Sequence, residues 1–180
     1  MDDSPGLGTL DWQPATAHPE LLASPVRSAL EHVPGAYVAA IDPGLADTAA
    51  FCDAYGVGLD ASANCVVVAG RRGETTTTAA CLVLATDRAD VNKVVRRHLD
   101  VRKISFAPMD QATSATGMEY GGITPIGLPA DWPILVDADV VAAGWVVIGS
   151  GIRGSKIAVL GSDLLALPGA VELELAQTTV

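Results

Sequence analysis

The sequence predicts an α/β fold in which helices surround a mixed, largely antiparallel sheet. Short apolar runs bounded by Gly, Pro, Asp and Asn are typical of buried strands. Between several of these runs, apolar residues recur at helical spacing behind capping residues. The order of the elements is unlike a repeating βαβ pattern. With 180 residues, 49% of them hydrophobic and 4% aromatic, the chain fits one domain with a core of small aliphatic side chains.

The chain divides into two parts by composition. Residues 1–23 carry Pro, Gly and Asp and are predicted to form an N-terminal extension, with one short strand near residues 9–12. Residues 24–180 are predicted to form a single domain. This domain begins where Ser24 and Pro25 combine an N-cap with a proline at the first helical position.

The remaining elements follow from capping residues, apolar runs and glycine stops. Two apolar runs around Gly70-Arg-Arg-Gly73 predict an antiparallel hairpin. In the last strand, Val171, Leu173 and Leu175 alternate with glutamates, so they are expected to face the core. The predicted helices span 24–32, 47–55, 107–117 and 163–167, with one more from Asp87 or Asp90 to 99. The predicted strands span 37–41, 65–69, 79–85, 102–106, 134–136, 145–148, 156–160 and 171–175.

Positive charge is concentrated in one part of an acidic chain. The net charge is −10, yet residues 71–103 hold eight basic and four acidic residues, a net charge of +4. Such a patch binds phosphates without regard to base sequence, and a solvated helix face is the alternative interpretation. The acidic remainder argues against wholesale binding of nucleic acid, and no DNA partner is expected. The candidate phosphate-binding residues are Arg71, Arg72, Lys93, Arg96 and Arg97.

Several classes of protein are disfavoured. No apolar run approaches the roughly 20 residues of a membrane helix, and the acidic start lacks the basic residues of a signal peptide. We therefore expect a cytoplasmic protein without a membrane partner. Cys52, Cys65 and Cys81 show neither CxxC nor Cys/His spacing, so no disulfide framework and no metal site is predicted. No cofactor is predicted, and the sequence leaves the oligomeric state open.

Two glycine-rich loops are the strongest candidates for a ligand site. Residues 117–129 place Gly or Pro at six of thirteen positions, which disfavours a helix or strand. Residues 149–154 read Gly-Ser-Gly-Ile-Arg-Gly and follow the apolar run Trp145–Ile148. Glycine lets backbone N–H and C=O groups approach a ligand closely, while ordinary tight turns are the alternative.

These loops resemble motifs of the YbaK and prolyl-tRNA synthetase editing-domain family, whose members are aminoacyl-tRNA deacylases. The resemblance includes Gly121-x-x-x-Pro125 and the strand that ends at Asp137, and it extends from about Val33 to about Leu175. It implies a YbaK-like fold and aminoacyl-tRNA as the partner, and it favours RNA as the ligand of the basic residues. It implies substrate-binding roles for Tyr120, Pro125, Asp137, Gly149, Ser150, Gly151 and Arg153.

One position departs from the family pattern. In the family, the strand that matches Asn64–Ala69 begins with a lysine followed by Ser or Thr, whereas this chain has Asn64 and Cys65. A lysine cation stabilises a developing oxyanion, while an asparagine amide is neutral. Hydrolysis can still rely on main-chain donors and on the substrate's ribose hydroxyl. The predicted catalytic residues are Asn64, Gly121 and Gly122.

Two functions remain open at this point. The first is a trans-acting deacylase that hydrolyses a small mischarged amino acid from tRNA. The second is a binding module that holds an aminoacyl-adenosine end, or another small ligand, without turnover because the family lysine is missing. Cys65 is disfavoured as a nucleophile, since no histidine lies near it in the sequence and a buried free thiol is the expected state.

Overall fold

The computed structural model describes residues 3–177, which form two sheets and several short helices. No helix in this part of the chain is long and apolar enough to cross a membrane. The strands are β1 (Gln13–Pro14), β2 (Tyr37–Ala40), β3 (Ala63–Arg72), β4 (Thr75–Leu84), β5 (Lys103–Phe106), β6 (Ile134–Asp137), β7 (Trp145–Gly149), β8 (Ser155–Leu160) and β9 (Ala170–Leu173). The α-helices are α1 (Ser24–Ala29), α2 (Thr48–Tyr55), α3 (Arg96–His98), α4 (Met109–Thr116) and α5 (Ala138–Ala142). A π-helical turn spans Val91–Val95, and 3₁₀ helices span Ala15–Ala17, Pro19–Leu21, Leu30–His32, Pro43–Leu45, Leu59–Ala61 and Gly161–Ala166.

The two sheets differ in how their strands pair. The first has the order β1-β2-β8-β7 and is antiparallel throughout. The second has the order β5-β3-β4-β6-β9, with antiparallel pairs around β3 and parallel pairs around β6. A bridge between Ser62, the residue before β3, and Val147 links the two sheets. The predicted mixed, largely antiparallel α/β fold is confirmed, and its strands are divided between two sheets.

The largest core contains side chains from both sheets. Successive residues of a strand face opposite sides, so Leu82 of β4 enters the shared core while Cys81 faces an outer cluster. In the same way, Ile157 of β8 enters the shared core and Ala158 packs with Phe51 of α2. Each sheet is therefore covered on both faces, and the strands read as nearly continuous apolar runs.

The segment predicted as an N-terminal extension packs against the domain. Trp12, Ala15 and Leu22 are buried, and β1 pairs with β2 in the first sheet. The indole nitrogen of Trp12 donates a hydrogen bond to the carbonyl oxygen of Leu7 at 2.9 Å. The strand predicted near residues 9–12 lies slightly later, at Gln13–Pro14. Ala15 and Leu22 thus contribute to the core between the sheets, and Trp12 contributes to the cluster that contains Phe51.

Two sequence predictions about β-structure were wrong. Residues 70–73 were predicted as the hairpin turn, but Arg71 pairs with Thr76 and Arg72 pairs with Thr75, so both residues belong to β3. The threonine-rich start of β4 favours strand, which leaves Gly73 and Glu74 as the turn. Val171 was predicted to be buried but is 39% exposed, because β9 is an edge strand. Helix α5 was not predicted.

Candidate active site

A groove of about 310 Å³ lies where the start of β3 meets β7 and β8. Pairing between β7 and β8 sets Gly149 opposite Lys156, so the end of β7 and the start of β8 form one side. The N-terminus of α2 and the loop after α4 form the rest. The groove contains four of the predicted site residues, namely Asn64, Tyr120, Gly121 and Gly149, together with Ala46, Asp47, Thr48, Ala63, Cys65, Val66, Met109, Ile123 and Lys156.

Asn64 is half-buried on β3 and is held by the first residue of α2. The Thr48 hydroxyl donates a hydrogen bond to Asn64 Oδ1 at 2.5 Å. Because this bond uses the carbonyl side of the amide, the Asn64 NH₂ group is the part of the side chain that can donate to a ligand. The predicted catalytic position therefore offers a fixed neutral donor.

Lys156 is a charged residue of the groove that the sequence predictions missed. It is 7% exposed, and its Nζ donates a hydrogen bond to the carbonyl oxygen of Ala46 at 2.8 Å. The same nitrogen lies 5.3 Å from the centre of the Phe51 ring, which gives a cation–π contact. Burial lowers the pKa of the Lys156 amine, an effect opposed by Cys52 and Asp47 and increased by Arg153. A lysine inside the apolar strand Ser155–Leu160 was the available sequence signal.

The two glycine loops are joined to each other through their backbones. The Glu119 N–H donates to the Gly151 carbonyl at 2.9 Å, and the Gly151 N–H donates to the Gly122 carbonyl at 2.7 Å. A Cβ atom on Gly122 would lie 2.9 Å from the Ile152 backbone, and one on Gly149 would lie 2.6 Å from the Gly122 oxygen. These glycines are required by the close approach of the loops, and the loops fix the groove's backbone side.

Arg153 ties three loops together at the rim of the groove. Its guanidinium donates to the carbonyl oxygens of Tyr120 at 3.1 Å and Pro43 at 3.2 Å, and it lies 3.9 Å from an Asp47 carboxylate oxygen. It also lies 6.0 Å from the centre of the Tyr120 ring, which is largely exposed. These contacts give Arg153 a positioning role, because its donors point to protein groups.

Other predicted site residues lie outside the groove lining. Pro125 and Gly122 are buried within their loop, and Gly151, with φ +88°, packs against Ala23. Ser150 is fully buried, and its hydroxyl group exchanges hydrogen bonds with Ser155. These four support the loops that carry the groove.

Asp137 also lies away from the groove. It is buried at the end of β6, where its Oδ1 accepts hydrogen bonds from the backbone N–H groups of Leu175 and Ala176. The contacts of its side chain are with the C-terminal segment.

Cys65 is the cysteine that lines the groove. Burial, together with a smaller effect of the neighbouring Cys81, raises the pKa of the Cys65 thiol to about 12. The nucleophile of a thiol is its deprotonated form, which is scarce at neutral pH when the pKa is this high. Cys65 is a free thiol as expected, but it is half-buried at the groove, whereas Cys52 and Cys81 are buried.

Comparison with known families identifies the fold. A model of the aminoacyl-tRNA editing domain matches residues 42–167. The chain belongs to the aminoacyl-tRNA editing-domain family. A solved protein proposed as a trans-editing enzyme for prolyl-tRNA synthetase is 23% identical, with a TM-score of 0.73 over 87% of this chain and 97% of that one. A hypothetical protein is 16% identical, with a TM-score of 0.75 over 86% of this chain and all of the other. At these identities the two structures show the fold alone.

This editing domain carries a second hollow that connects the groove to basic residues. The hollow measures about 550 Å³ and shares Asn64 and Val66 with the groove. It shares Asn92 and Ile104 with a shallower depression, whose other lining residues are Arg96, Arg102 and Lys103. Arg88 also lines the larger hollow. The hollow therefore adjoins the groove on one side and part of the predicted phosphate-binding patch on the other.

The predicted phosphate-binding residues of the editing domain differ in their surroundings. Lys93, Arg96 and Arg97 are exposed beside one another on the π-helical turn and α3. Arg72 pairs with Asp100 at 2.7 Å, and the Arg71 Nε donates to the Gly73 carbonyl. Neutralisation by Asp100 leaves Arg72 less available to a phosphate. Arg88, Arg102 and Lys103 extend the patch, and the charge count of the sequence had already placed them in the same basic segment.

Proposed function

We propose that the protein is a trans-acting aminoacyl-tRNA deacylase that hydrolyses a small mischarged amino acid from tRNA. We propose further that Lys156 supplies the cation that Asn64 lacks. The observation that carries this proposal is the position of Lys156, which lines the same groove as Asn64 and Gly121. Membership of the editing-domain family supports the reaction class.

The proposed reaction is the addition of water to the ester carbonyl that joins the amino acid to the ribose. The carbonyl oxygen becomes an oxyanion, which the Lys156 ammonium and the Asn64 NH₂ group stabilise. Collapse of this intermediate breaks the bond between the acyl carbon and the ribose oxygen. The proton lost by the water is transferred to that ribose oxygen, so the products are a free amino acid and a tRNA with both ribose hydroxyls restored.

The groove walls favour a small acyl side chain. Val66, Met109 and Ile123 line it alongside the polar groups, and about 310 Å³ must also hold part of the terminal ribose. Tyr120, in the groove lining, is 57% exposed. Phe106, which lines the 550 Å³ hollow next to the groove, is 64% exposed. Exposed aromatic rings stack well on unpaired bases, so we propose that they hold the single-stranded 3′ end of the tRNA.

The basic residues complete the proposed binding mode. A tRNA whose 3′ end enters the groove would follow the connected hollow towards Arg96, Arg102 and Lys103. Phosphate contacts along this route supply affinity without reading base sequence. The acidic remainder of the chain, which gives the net charge of −10, repels RNA from other faces.

Binding without turnover is the second candidate function. It is favoured by the burial of Lys156, which lowers the pKa of the amine and so disfavours the charged form that would stabilise an oxyanion. In that case the groove would hold an aminoacyl-adenosine end without hydrolysing it.

A deacylation assay on a panel of mischarged tRNAs separates the two functions. Wild type is compared with Lys156→Met and with the matched control Lys93→Met, which removes an exposed lysine outside the groove. We expect Lys156→Met to lower kcat by about 10²–10³-fold, the usual effect of losing an oxyanion donor. Lys93→Met should raise KM and leave kcat unchanged. Binding by wild type without release of amino acid from any tRNA of the panel would establish the second function.

A further inference from the structure

Three aspartates meet at one edge of the second sheet, away from the groove lining. Strands β4 and β6 are parallel, so their carboxyl ends lie at the same edge. Asp137 is the last residue of β6, Asp139 follows in α5, and Asp87 lies just after β4. One carboxylate oxygen from each residue lies within 4.8 Å of the others. Ligand sites of α/β sheets commonly form at this edge.

The buried member of this acidic cluster (Asp87, Asp137 and Asp139) lacks a partner for one oxygen. Asp137 is 2% exposed, and its Oδ1 accepts the N–H groups of Leu175 at 2.8 Å and Ala176 at 3.1 Å. Its Oδ2 is buried and accepts no hydrogen bond within the described structure. A buried carboxylate oxygen without a donor is costly, and two further carboxylates nearby increase the cost.

Basic side chains do not compensate this negative charge. Among residues 3–177, the four ion pairs involve other acidic residues, at Glu20, Glu31, Asp47 and Asp100. A positive ligand is therefore the group that the arrangement lacks.

We propose that the acidic cluster binds an oxygen-preferring divalent cation, with Ca²⁺ as the best fit. The donor set is oxygen only, which suits Ca²⁺ or Mg²⁺ better than zinc. Ca²⁺ accepts oxygen ligands in a flexible arrangement, whereas Mg²⁺ demands a nearly ideal octahedron and gives up its water reluctantly. Asp137 Oδ2 is the ligand from the buried side, Asp87 and Asp139 close the site from the loop and from α5, and water completes the coordination.

The cation would connect the C-terminal segment to the sheet. Leu175 and Ala176 are already bonded to Asp137, Ala176 bridges to Ala89, and the Gln177 N–H donates to the Arg88 carbonyl at 2.7 Å. A ligand that fixes Asp137 also fixes these hydrogen bonds. The proposed role is structural and is independent of the reaction proposed for the groove.

The test uses full-length protein treated with a chelator and then titrated with Ca²⁺, Mg²⁺ or Mn²⁺. Thermal unfolding and calorimetry are measured for wild type, for Asp139→Asn, and for the control Asp53→Asn, which removes one exposed carboxylate from α2. We expect Ca²⁺ to raise the Tm of wild type and the control saturably, because a ligand specific to the native state stabilises it. Asp139→Asn should weaken the affinity at least about tenfold. In chelator, the same substitution should raise the Tm more than the control does, because it relieves repulsion.

Amide exchange gives a second readout at the ligand itself. Saturating Ca²⁺ should slow exchange of the Leu175 and Ala176 N–H groups in wild type, and should have less effect in Asp139→Asn. A wild-type Tm that does not respond to millimolar concentrations of any of the three cations would overturn the proposal. Equal Ca²⁺ affinity in wild type and Asp139→Asn would overturn it as well.

Discussion

Lys156 occupies the groove because of its register in β8. It pairs with Gly149 on β7 and with Ala39 on β2, on the part of the first sheet that borders the groove. There its ammonium donates a hydrogen bond to the Ala46 carbonyl. The surrounding protein disfavours the charge by burial, and the hydrogen bond and the Phe51 ring partly offset that cost. The residue therefore carries an ammonium that titrates at a lower pH than an ordinary lysine.

The lowered pKa of Lys156 predicts opposite effects of pH on binding and stability. Above its pKa in the folded protein, Lys156 loses its charge, so a non-hydrolysable amide analogue of an aminoacyl-adenosine should bind more weakly. This loss should occur below the ordinary lysine pKa of about 10.4. Between the two pKa values the unfolded chain holds more protons, so stability should rise with pH relative to Lys156→Met. Analogue affinity and the free energy of unfolding are measured against pH for wild type and Lys156→Met. If affinity and stability both decreased with pH in wild type relative to Lys156→Met, the lowered pKa of Lys156 would be contradicted.

A lysine at position 64 should replace the one at position 156. In the Lys156→Met background, Asn64→Lys returns a cation to the groove at the position where the family has one. We expect the double variant to recover most of the deacylation rate lost by Lys156→Met, although the Thr48–Asn64 hydrogen bond is removed. Single-turnover kinetics on one mischarged tRNA measure the recovery. A double variant as slow as Lys156→Met would mean that charge at this site does not limit the reaction.

Gly121→Val should impair the groove beyond its effect on stability. Gly121 has φ +80°, and a Cβ there would lie 2.3 Å from an Arg153 guanidinium nitrogen. Gly144→Val is the matched control, because Gly144 has φ +77° and no atom within 4 Å of its added Cβ. Both substitutions should cost about 1–3 kcal/mol of backbone strain. Only Gly121→Val should displace Arg153 and reduce binding of the amide analogue, as compared by calorimetry. Equal binding losses in the two variants would assign the effect to strain alone.

At the scale of elements, local signals predicted most of the secondary structure. Gly56 and Gly117 end α2 and α4 with φ +68° each, as expected for glycine C-caps. The hairpin turn was misplaced because two glycines outweighed the strand preference of the threonines after residue 74. Propensity acts over a few residues, whereas strand pairing extends each strand as far as its partner allows.

The basic surface on the π-helical turn and α3 should account for most of the salt dependence of tRNA binding. Lys93, Arg96 and Arg97 are exposed there. Each phosphate neutralised on a single strand adds about 0.7 to the slope of log affinity against log salt, so the triple alanine variant should lose about two units. Its Tm should hardly change, because exposed charges contribute little stability.

The control for this measurement is Arg27→Ala, which removes an exposed cation from α1. Its salt slope should equal that of wild type. Equal slopes for wild type and the triple variant would exclude this surface from the RNA-binding face.

At the scale of the whole molecule, the N-terminal segment should be needed for full stability. A chain that begins at residue 24 loses the buried side chains of Trp12 and Leu22 and the β1 edge of the first sheet. Each large apolar side chain contributes about 1.5–3 kcal/mol when buried. We expect denaturant unfolding of the 24–180 chain to show a clearly lower midpoint than the 1–180 chain. Equal midpoints would support the division at residue 24 that composition predicted.

The arrangement of the site was harder to predict than its loops. The glycine loops and Asn64 were visible because each is a local motif or a departure from one. Lys156 lies in the same groove because of the register of β8 with β2 and β7, and the sequence does not specify that register. Asp87 and Asp137 are fifty positions apart in the chain, and only the parallel pairing of β4 with β6 brings them together. The cysteine and histidine spacing used to search for metal ligands could not reveal an oxygen-only cluster.

The two glycine loops are joined by backbone hydrogen bonds that do not depend on the side chains lining the groove. The hydrogen bonds between Glu119, Gly122 and Gly151 use main-chain atoms, so the path of both loops depends little on which side chains face the groove. Met109 and Ile123, which line its walls, do not take part in that joining. Substitution of these wall residues can therefore alter which acyl group fits while the glycine loops keep their positions. Single substitutions in the walls are thus a route by which such a domain can evolve a new amino-acid preference.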